Sequence, residues 1–231
     1  MVKIVGNQES TIDYPGKMGQ ILFLEGCNFR CGFCHSHELL NVGVVGINEE
    51  QLVKKLVLKA RRGWYEGVIV SGGEPTIYED LPEFLERLKG LGLAVKLDTN
   101  GSNPLMLERL LDEGNVDYIA MDIKSPREKY LDIVGCKIDL ENLDKSIMLI
   151  KRFPNYEFRT TILPFLNEED FEAMGEWVSK DEKVQQYTLQ QFEPKNAFDE
   201  SYREMKPKFR EEVLELSKVM EKYANKVRVL I

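Results

Sequence analysis

The sequence has 231 residues, of which 43% are hydrophobic, and this is enough to bury a full core in one domain spanning residues 1–231. Its 31 basic against 39 acidic side chains give a net charge of −8, which argues against nucleic acid or an anionic membrane as a partner. No apolar run is long enough to span a bilayer, and the first residues do not resemble a signal peptide, so we expect a cytoplasmic protein.

Six short apolar runs are predicted to be strands. They lie at 20–24, 67–71, 94–98, 117–121, 157–162 and 186–189. Several are rich in β-branched or aromatic residues and almost continuously apolar, which is typical of parallel strands buried on both faces.

Segments of helical period lie between these runs and begin with recognisable capping signals. Asn48 precedes a capping-box pattern, Asn103 precedes a proline at the first helical position, and Asn167 opens a further helix. Apolar spacing predicts two more helices, over 143–150 and about 209–223. The repeated strand–helix alternation predicts an α/β fold, and six units leave either an open sheet or a partial barrel.

Three of the four cysteines lie close together, directly after the first predicted strand. Cys27, Cys31 and Cys34 have the spacing C-x3-C-x2-C, so their thiolates can converge on one metal centre. Three ligands leave one coordination position open, as a catalytic centre requires. The C-terminal end of a parallel strand is also the usual place for an active site.

A zinc site is the alternative interpretation of the same segment. His35 or His37 could then serve as the fourth ligand, since short runs of cysteine and histidine are frequent in zinc sites. Cys136 could be a distant fourth ligand, although a free cysteine in a loop is the simpler interpretation.

The cysteine motif with Phe33 before its last cysteine, C-x3-C-x-Phe-C, resembles the signature of the radical S-adenosylmethionine (SAM) superfamily. The resemblance implies one 4Fe–4S cluster in which Cys27, Cys31 and Cys34 bind three irons. The amino and carboxylate groups of SAM then chelate the fourth iron. Phe33 is expected beside these cofactors, where it shields the cluster from water or simply packs in the core.

Polar residues and glycines at the ends of the later strands agree with this resemblance. They are Gly72, Gly73, Glu74, Asp98, Thr99, Asn100, Gly101, Asp122, Lys124, Arg159, Thr161, Gln190 and Gln191. Turn and capping chemistry alone would explain the groups at the ends of the second, third and fourth predicted strands. Since the carboxyl ends of parallel strands form one mouth, their coincidence favours a shared cofactor site.

Specific contacts can be assigned to several of these residues. The Gly72-Gly73-Glu74 turn resembles the superfamily's clasp for the methionine amino group. Asp122 and Lys124 are one residue apart in an extended strand, so they point the same way and could bind the ribose hydroxyls and the carboxylate. Asp98 lies at a neighbouring strand end, Arg159 needs an anionic or polar partner, and Gln190 could hydrogen-bond the adenine.

Within the superfamily, the chain is most similar to activases of glycyl-radical enzymes. The motif Ile12-Asp13-Tyr14-Pro15-Gly16-Lys17, the Cys34-His35 junction and the strand-end motifs carry this resemblance. It is strongest to activating proteins of anaerobic ribonucleotide reductase, with pyruvate formate-lyase activating enzyme as a longer relative. The resemblance implies a partial (βα)6 barrel of the TIM type, with parallel strands.

The activity implied is reductive cleavage of SAM, followed by removal of one hydrogen from a glycine of a partner enzyme. The same resemblance places Asp13 against the partner's glycine loop. It also places a monovalent cation among Asp98, Thr99, Met121 and Asp122. Only Cys136 lies outside the motif, so no auxiliary cluster is expected, and a flavodoxin or ferredoxin would supply electrons directly.

Two other functions remain open at this point. A radical SAM enzyme of similar compact size could act on a small molecule, as 7-carboxy-7-deazaguanine synthase does. A protein of another class would bind zinc at the three cysteines and serve in interactions without catalysis.

Overall fold

In a computed structural model of the protein, the described residues are 1–40, 43, 45–180 and 182–231. Within these ranges, one sheet carries eight strands, which are hydrogen-bonded in the order of the sequence. Their bounds are β1 Ile4–Ser10, β2 Gly19–Leu24, β3 Gly67–Gly72, β4 Ala94–Thr99, β5 Tyr118–Asp122, β6 Tyr156–Ile162, β7 Val184–Gln191 and β8 Ala224–Leu230. β1 is antiparallel to β2, and every later neighbour pair is parallel.

Helices connect the parallel strands. Their bounds are α1 Glu49–Arg61, α2 Leu81–Lys89, α3 Pro104–Glu113, α4 Tyr130–Val134, α5 Leu140–Ile150, α6 Glu168–Ser179, α7 Glu200–Arg203 and α8 Arg210–Met220. The side chains of Asn48, Asn103 and Asn167 cap α1, α3 and α6 as the sequence predicts. Of the helices in the described ranges, none has the length and apolarity that crossing a bilayer requires.

The six predicted strands are confirmed as β2 to β7, whereas the two edge strands were not predicted. β1 contains Gly6, Asn7, Gln8 and Glu9, and β8 is polar and exposed in its first half. Each edge strand has a neighbour on one side only, so neither needs the continuous apolar run that reveals a buried strand.

The sheet curls so that its concave face becomes an interior. Arg159 on β6 reaches past β5 to bond Asp98 on β4, at 3.1 Å between Nη1 and Oδ2. From β8, Arg228 donates a 2.8 Å hydrogen bond to the carbonyl of Ile12, in the loop that joins β1 to β2. Side chains from distant strands therefore meet on one face. Within the described residues, no pairing joins β1 to β8, so the barrel stays open.

The alternation of side chains along the strands separates two environments. In β3, Val68 and Val70 belong to the main core beneath the helices, whereas Ile69 packs with Tyr14 and Ile21 in a small apolar cluster. This small cluster, together with polar residues, faces the interior of the curled sheet. Since the period of a strand is two residues, the convex face supplies stability and the concave face is available for chemistry.

We predict that Gly175→Ala destabilises the fold, because a β-carbon there would lie 2.2 Å from a ring carbon of Tyr223 where α6 meets the turn before β8. Overpacking of this kind typically costs about 1–3 kcal/mol. Urea unfolding of Gly175→Ala, Tyr223→Ala and the double variant gives a double-mutant cycle of unfolding free energies. In the Tyr223→Ala background, which lacks the ring, Gly175→Ala should no longer lower the unfolding free energy. A penalty of the same size in both backgrounds would contradict this packing.

Candidate active site

A cavity of about 580 Å³ opens at the carboxyl ends of the parallel strands and continues into the interior of the sheet. It brings together most of the residues that the sequence assigns to the site, although Gly101, Met121 and Gln191 do not line it. Those that line it include Asp13, Cys27, Cys31, Phe33, Cys34, Gly72, Gly73, Glu74, Asp98, Asp122, Lys124, Arg159 and Gln190. Phe23, Ser71 and Glu193 also line it and were not predicted. For Ser71, the available signal was its i, i+2 relation to the inward-facing Ile69.

The thiol loop, residues 27–34, follows β2 and is held in place by hydrogen bonds to other parts of the chain. The amide of Arg30 donates to the carbonyl of Val134 at the end of α4, and the amide of Asp199 donates to the carbonyl of Gly32. The Arg30 guanidinium also donates to the carbonyls of Cys27 and Phe29, at 2.6 and 2.7 Å. The loop conformation is therefore set by the protein itself.

The three thiols lie in an environment that keeps them protonated in the absence of metal. Burial raises the pKa of Cys27 to about 11 and that of Cys31 to about 12, while the nearby Lys124 opposes part of this effect. Burial likewise raises the pKa of Cys34. Since metals bind the thiolate form of cysteine, any metal held by these three thiols would displace their protons.

The backbone of the glycine turn after β3 lies against the thiol loop. The amide of Glu74 donates to the carbonyl of Gly26 at 2.8 Å, and a β-carbon on Gly73 would lie 1.7 Å from that same oxygen. Gly72 has φ +111°, a conformation that favours glycine. The cradle beside the thiols therefore exists only with glycine at these positions, which fits a cofactor bound close to backbone.

The Glu74 carboxylate is buried and bonded within the protein. Oε1 accepts hydrogen bonds from the Thr76 amide, the Thr76 hydroxyl and the Thr99 hydroxyl, and Oε2 accepts one from the Asn100 amide at 2.6 Å. The contacts made by Glu74 thus join the glycine turn to the end of β4. Its expected contact with the methionine amino group remains a prediction.

An ion network joins the ends of β4, β5 and β6. Arg159 Nε donates to Asp122 Oδ1 at 2.8 Å, and Arg159 Nη1 donates to Asp98 Oδ2 at 3.1 Å. Lys124 Nζ donates to Asp122 Oδ2 at 2.8 Å, which confirms that these two side chains point the same way. Burial raises the pKa of Asp122, but the Arg159 and Lys124 cations outweigh it and hold that pKa well below its usual range.

The monovalent cation implied by the resemblance does not fit these residues. All four carboxylate oxygens of Asp98 and Asp122 already lie within 3.1 Å of an Arg or Lys nitrogen, and the cation at Asp98 Oδ1 is Lys96. The Thr99 hydroxyl donates to Glu74, and a β-carbon on Gly101 would collide with the Met121 side chain.

The three residues that could complete a zinc site have separate surroundings. His37 Nδ1 lies 3.1 Å from the carbonyl of Asn196, and its ring contacts Phe198. His35 lines the cavity. Cys136 lies beside the thiol loop, with Sγ 3.5 Å from the carbonyl of Asn28. The expectation of a loop position for Cys136 is confirmed, since it follows the end of α4.

A family model described as the radical SAM superfamily matches residues 21–178. The chain is also 35% identical over 225 residues to a Methanocaldococcus jannaschii protein with the provisional name glycyl-radical enzyme activating enzyme. That alignment covers 94% of this chain and 91% of the relative. The chain belongs to the radical SAM superfamily. It is therefore a radical SAM enzyme with a 4Fe–4S cluster and SAM as cofactors, and the interpretation as a non-catalytic zinc protein is wrong.

The chain is also similar to a protein whose name gives a different activity. The chain is 26% identical over 165 residues to a Thermococcus kodakarensis protein named as a GTP 3′,8-cyclase, and the alignment covers 70% of this chain but only 52% of the relative. Among solved structures, Streptococcus suis SuiB bound to SAM matches with a TM-score of 0.64 at 17% identity. That match covers 88% of this chain and 48% of SuiB, and it supports the predicted partial-barrel fold.

We predict that Gly73→Ala prevents assembly of the radical SAM site, because its β-carbon has no room beside the carbonyl of Gly26. After anaerobic reconstitution, iron content and visible absorbance should fall severalfold below those of the wild type. Gly46→Ala is the matched control, since its nearest neighbours would be 3.6 Å from the new carbon and cluster loading should not change. Full loading of Gly73→Ala would contradict the close approach.

We also predict that the ion network makes stability depend on acid pH. The folded-state pKa of Asp122 lies below its unfolded value of about 3.9, so the stabilisation is complete above that value and is lost as the pH falls below it. In urea unfolding, Asp122→Asn should be less stable near neutral pH and should lose less stability on acidification. Asp112→Asn, a change at an exposed residue of α3, is the control and should have the same pH dependence of stability as the wild type. If Asp122→Asn also had the wild-type pH dependence, the contribution of the network would be contradicted.

Proposed function

We propose that this protein is a glycyl-radical-enzyme activase that takes a hydrogen atom from a glycine of a partner protein. The observation that carries the proposal is the 35% identity to the M. jannaschii relative over nearly the full length of both chains. The position of Asp13 in the same cavity as the three thiols supports it independently. The activity is proposed for one domain comprising residues 1–231, acting in the cytoplasm.

The roles of the thiol loop follow from its position. Cys27, Cys31 and Cys34 would hold the 4Fe–4S cluster at the cavity in which SAM would bind to it. When bound, the cluster and SAM together supply an electron and a carbon-centred radical able to remove a hydrogen from carbon. Phe33 lies between the ligands, and its ring centroid is 5.8 Å from Lys124 Nζ. It therefore keeps water away from the cluster side of the cavity.

The strand ends orient the cofactor. The backbone of Gly72 and Gly73 packs against the thiol loop. This backbone would bind the methionine amino group. Lys124 and Arg159 present positive charge to the methionine carboxylate, while Asp122 remains ionised between them and accepts from the ribose hydroxyls. Gln190 lines the same cavity, and there it would hydrogen-bond the adenine. These groups hold the sulfonium in one orientation.

The loop that carries Asp13 is well prepared to receive a polypeptide. The Ser10 hydroxyl accepts from the amides of Ile12 and Asp13, at 3.1 and 3.0 Å, and donates to the Asp13 carboxylate. Lys96 binds the carbonyl of Asp13, and Arg228 binds that of Ile12. With its conformation fixed in this way, the Asp13 carboxylate can accept amide hydrogens of an entering glycine loop without further ordering of the chain.

Anaerobic ribonucleotide reductase is the partner that we propose, on the strength of the motif resemblance. Cys136 is the one cysteine outside the motif, so electrons enter at the single cluster from a flavodoxin or ferredoxin. The similarity to the GTP 3′,8-cyclase favours a small-molecule substrate as the second candidate. That similarity has lower identity and covers only about half of the relative.

The test uses reconstituted protein, a reductant, SAM and the partner reductase labelled with α-deuterated glycine. We expect a glycyl radical signal in electron paramagnetic resonance and deuterium in the 5′-deoxyadenosine released. A product without deuterium and without the glycyl signal, for every glycyl-radical enzyme of the same organism, would contradict the activase function.

Cys31→Ala should abolish both the cluster and the cleavage of SAM, because the remaining two thiols cannot hold the cluster. Cys136→Ala is the matched control, since this thiol lies beside the loop rather than in the cavity, and it should retain cleavage within about twofold. Production of 5′-deoxyadenosine by Cys31→Ala would overturn the ligand assignment.

A further inference from the structure

Lys96 is a buried cation inside the curled sheet. It lies on β4 two residues before Asp98, and in an extended strand this spacing places both side chains on the concave face. The Lys96 side chain is only 1% exposed. Because an ammonium group without water is stable only among compensating partners, the atoms around its nitrogen reveal its function.

Those atoms form a set of oxygens that suits a monovalent cation. Lys96 Nζ lies 2.7 Å from the carbonyl oxygen of Asp13, 3.0 Å from Asp98 Oδ1 and 3.4 Å from Glu157 Oε1. The contact with Asp98 Oδ1 lacks hydrogen-bond geometry and is an ion pair. Two carboxylates and one carbonyl are also the ligands that a hard metal cation prefers in proteins.

The positive charge of Lys96 is needed to balance the carboxylates in the interior of the sheet. Three carboxylates, those of Asp98, Asp122 and Glu157, face three cations, those of Lys96, Arg159 and Lys124. Loss of the Lys96 charge leaves one negative charge without compensation at a place where Lys96 and Glu157 are almost completely buried. An uncompensated buried charge is strongly destabilising, so the site would then have to take up a cation from solution or a proton.

We propose that the Lys96 ammonium is a built-in replacement for a monovalent metal cation beside Asp98, so that the protein requires neither Na⁺ nor K⁺. The same ammonium ties the cofactor side of the cavity to the Asp13 loop through the carbonyl of that residue. The inference rests on the SAM site proposed above. It does not depend on the identity of the substrate.

The first test is thermal unfolding of protein without cofactors, in tetramethylammonium chloride exchanged stepwise for KCl, NaCl or NH₄Cl at constant ionic strength. The wild-type Tm should be the same in all four salts. Lys96→Met should have a Tm lower by on the order of 10 °C in tetramethylammonium and should recover saturably with at least one small cation. Lys89→Met removes a lysine paired with Asp117 at the surface and should show no such recovery.

A second variant keeps the proposal testable if Lys96→Met does not fold. Lys96→Met/Glu157→Gln removes one cation and one anion, so it should fold without any dependence on the small cation. A saturable rise of the wild-type Tm with Na⁺ or K⁺ would overturn the proposal, because it would show a cation site in addition to Lys96. The proposal would also be overturned if the Tm of Lys96→Met/Glu157→Gln depended on the cation as that of Lys96→Met does.

The third measurement is the affinity of the reconstituted proteins for SAM, without a partner enzyme. Wild-type affinity should be equal in K⁺, Na⁺ and tetramethylammonium. Lys96→Met should bind SAM roughly tenfold or more weakly in tetramethylammonium and should regain affinity with the cation that restores its Tm. Wild-type protein that binds no SAM in any salt would contradict the proposed function, whereas the Tm series would still decide the role of Lys96.

Discussion

The buried ion network at the ends of β4, β5 and β6 is the constraint on which the rest of the site depends. Charged side chains withdrawn from water must be compensated within the protein, and here the interior of the curled sheet supplies both signs. Arg159 is central because its guanidinium bonds two carboxylates from two other strands at once. The strand register that brings these groups together also fixes where a charged cofactor can bind.

A second constraint is the contact between two backbone segments. The glycine turn after β3 lies so close to the thiol loop after β2 that no side chain fits at Gly73. Glu74 then joins this turn to β4 by hydrogen bonds from Thr99 and Asn100. The thiol loop, the glycine turn and the ion network are thus joined into one surface, and a fixed surface of this kind lets a reactive intermediate be directed at one substrate atom.

Most of the site could be predicted from the sequence because parallel strands leave their carboxyl ends at one edge. That rule predicts that Glu74, Asp98, Asp122 and Arg159 lie together, and the two-residue period correctly pairs Asp122 with Lys124. The edge strands β1 and β8 were missed because their polar residues lack the pattern of a buried strand.

Lys96 was missed for a related reason. Within a short apolar run, a single lysine is usually a residue at the solvent boundary, and its compensation by Asp98 and Glu157 depends on the curl of the sheet. For the same reason, the fit of the expected metal cation could not be judged from the sequence. Sequence resemblance identified the acidic residues, but it did not show that a neighbouring position supplies a positive charge of its own.

The central claim is that three thiols and the charged strand ends hold a cluster whose open iron binds SAM. Electron–nuclear double resonance on the reduced, reconstituted protein tests it most directly, with SAM labelled by ¹⁵N in the amino group and ¹⁷O in the carboxylate. The account predicts hyperfine coupling of both labels to the cluster. SAM that binds with no coupling from either label would contradict it.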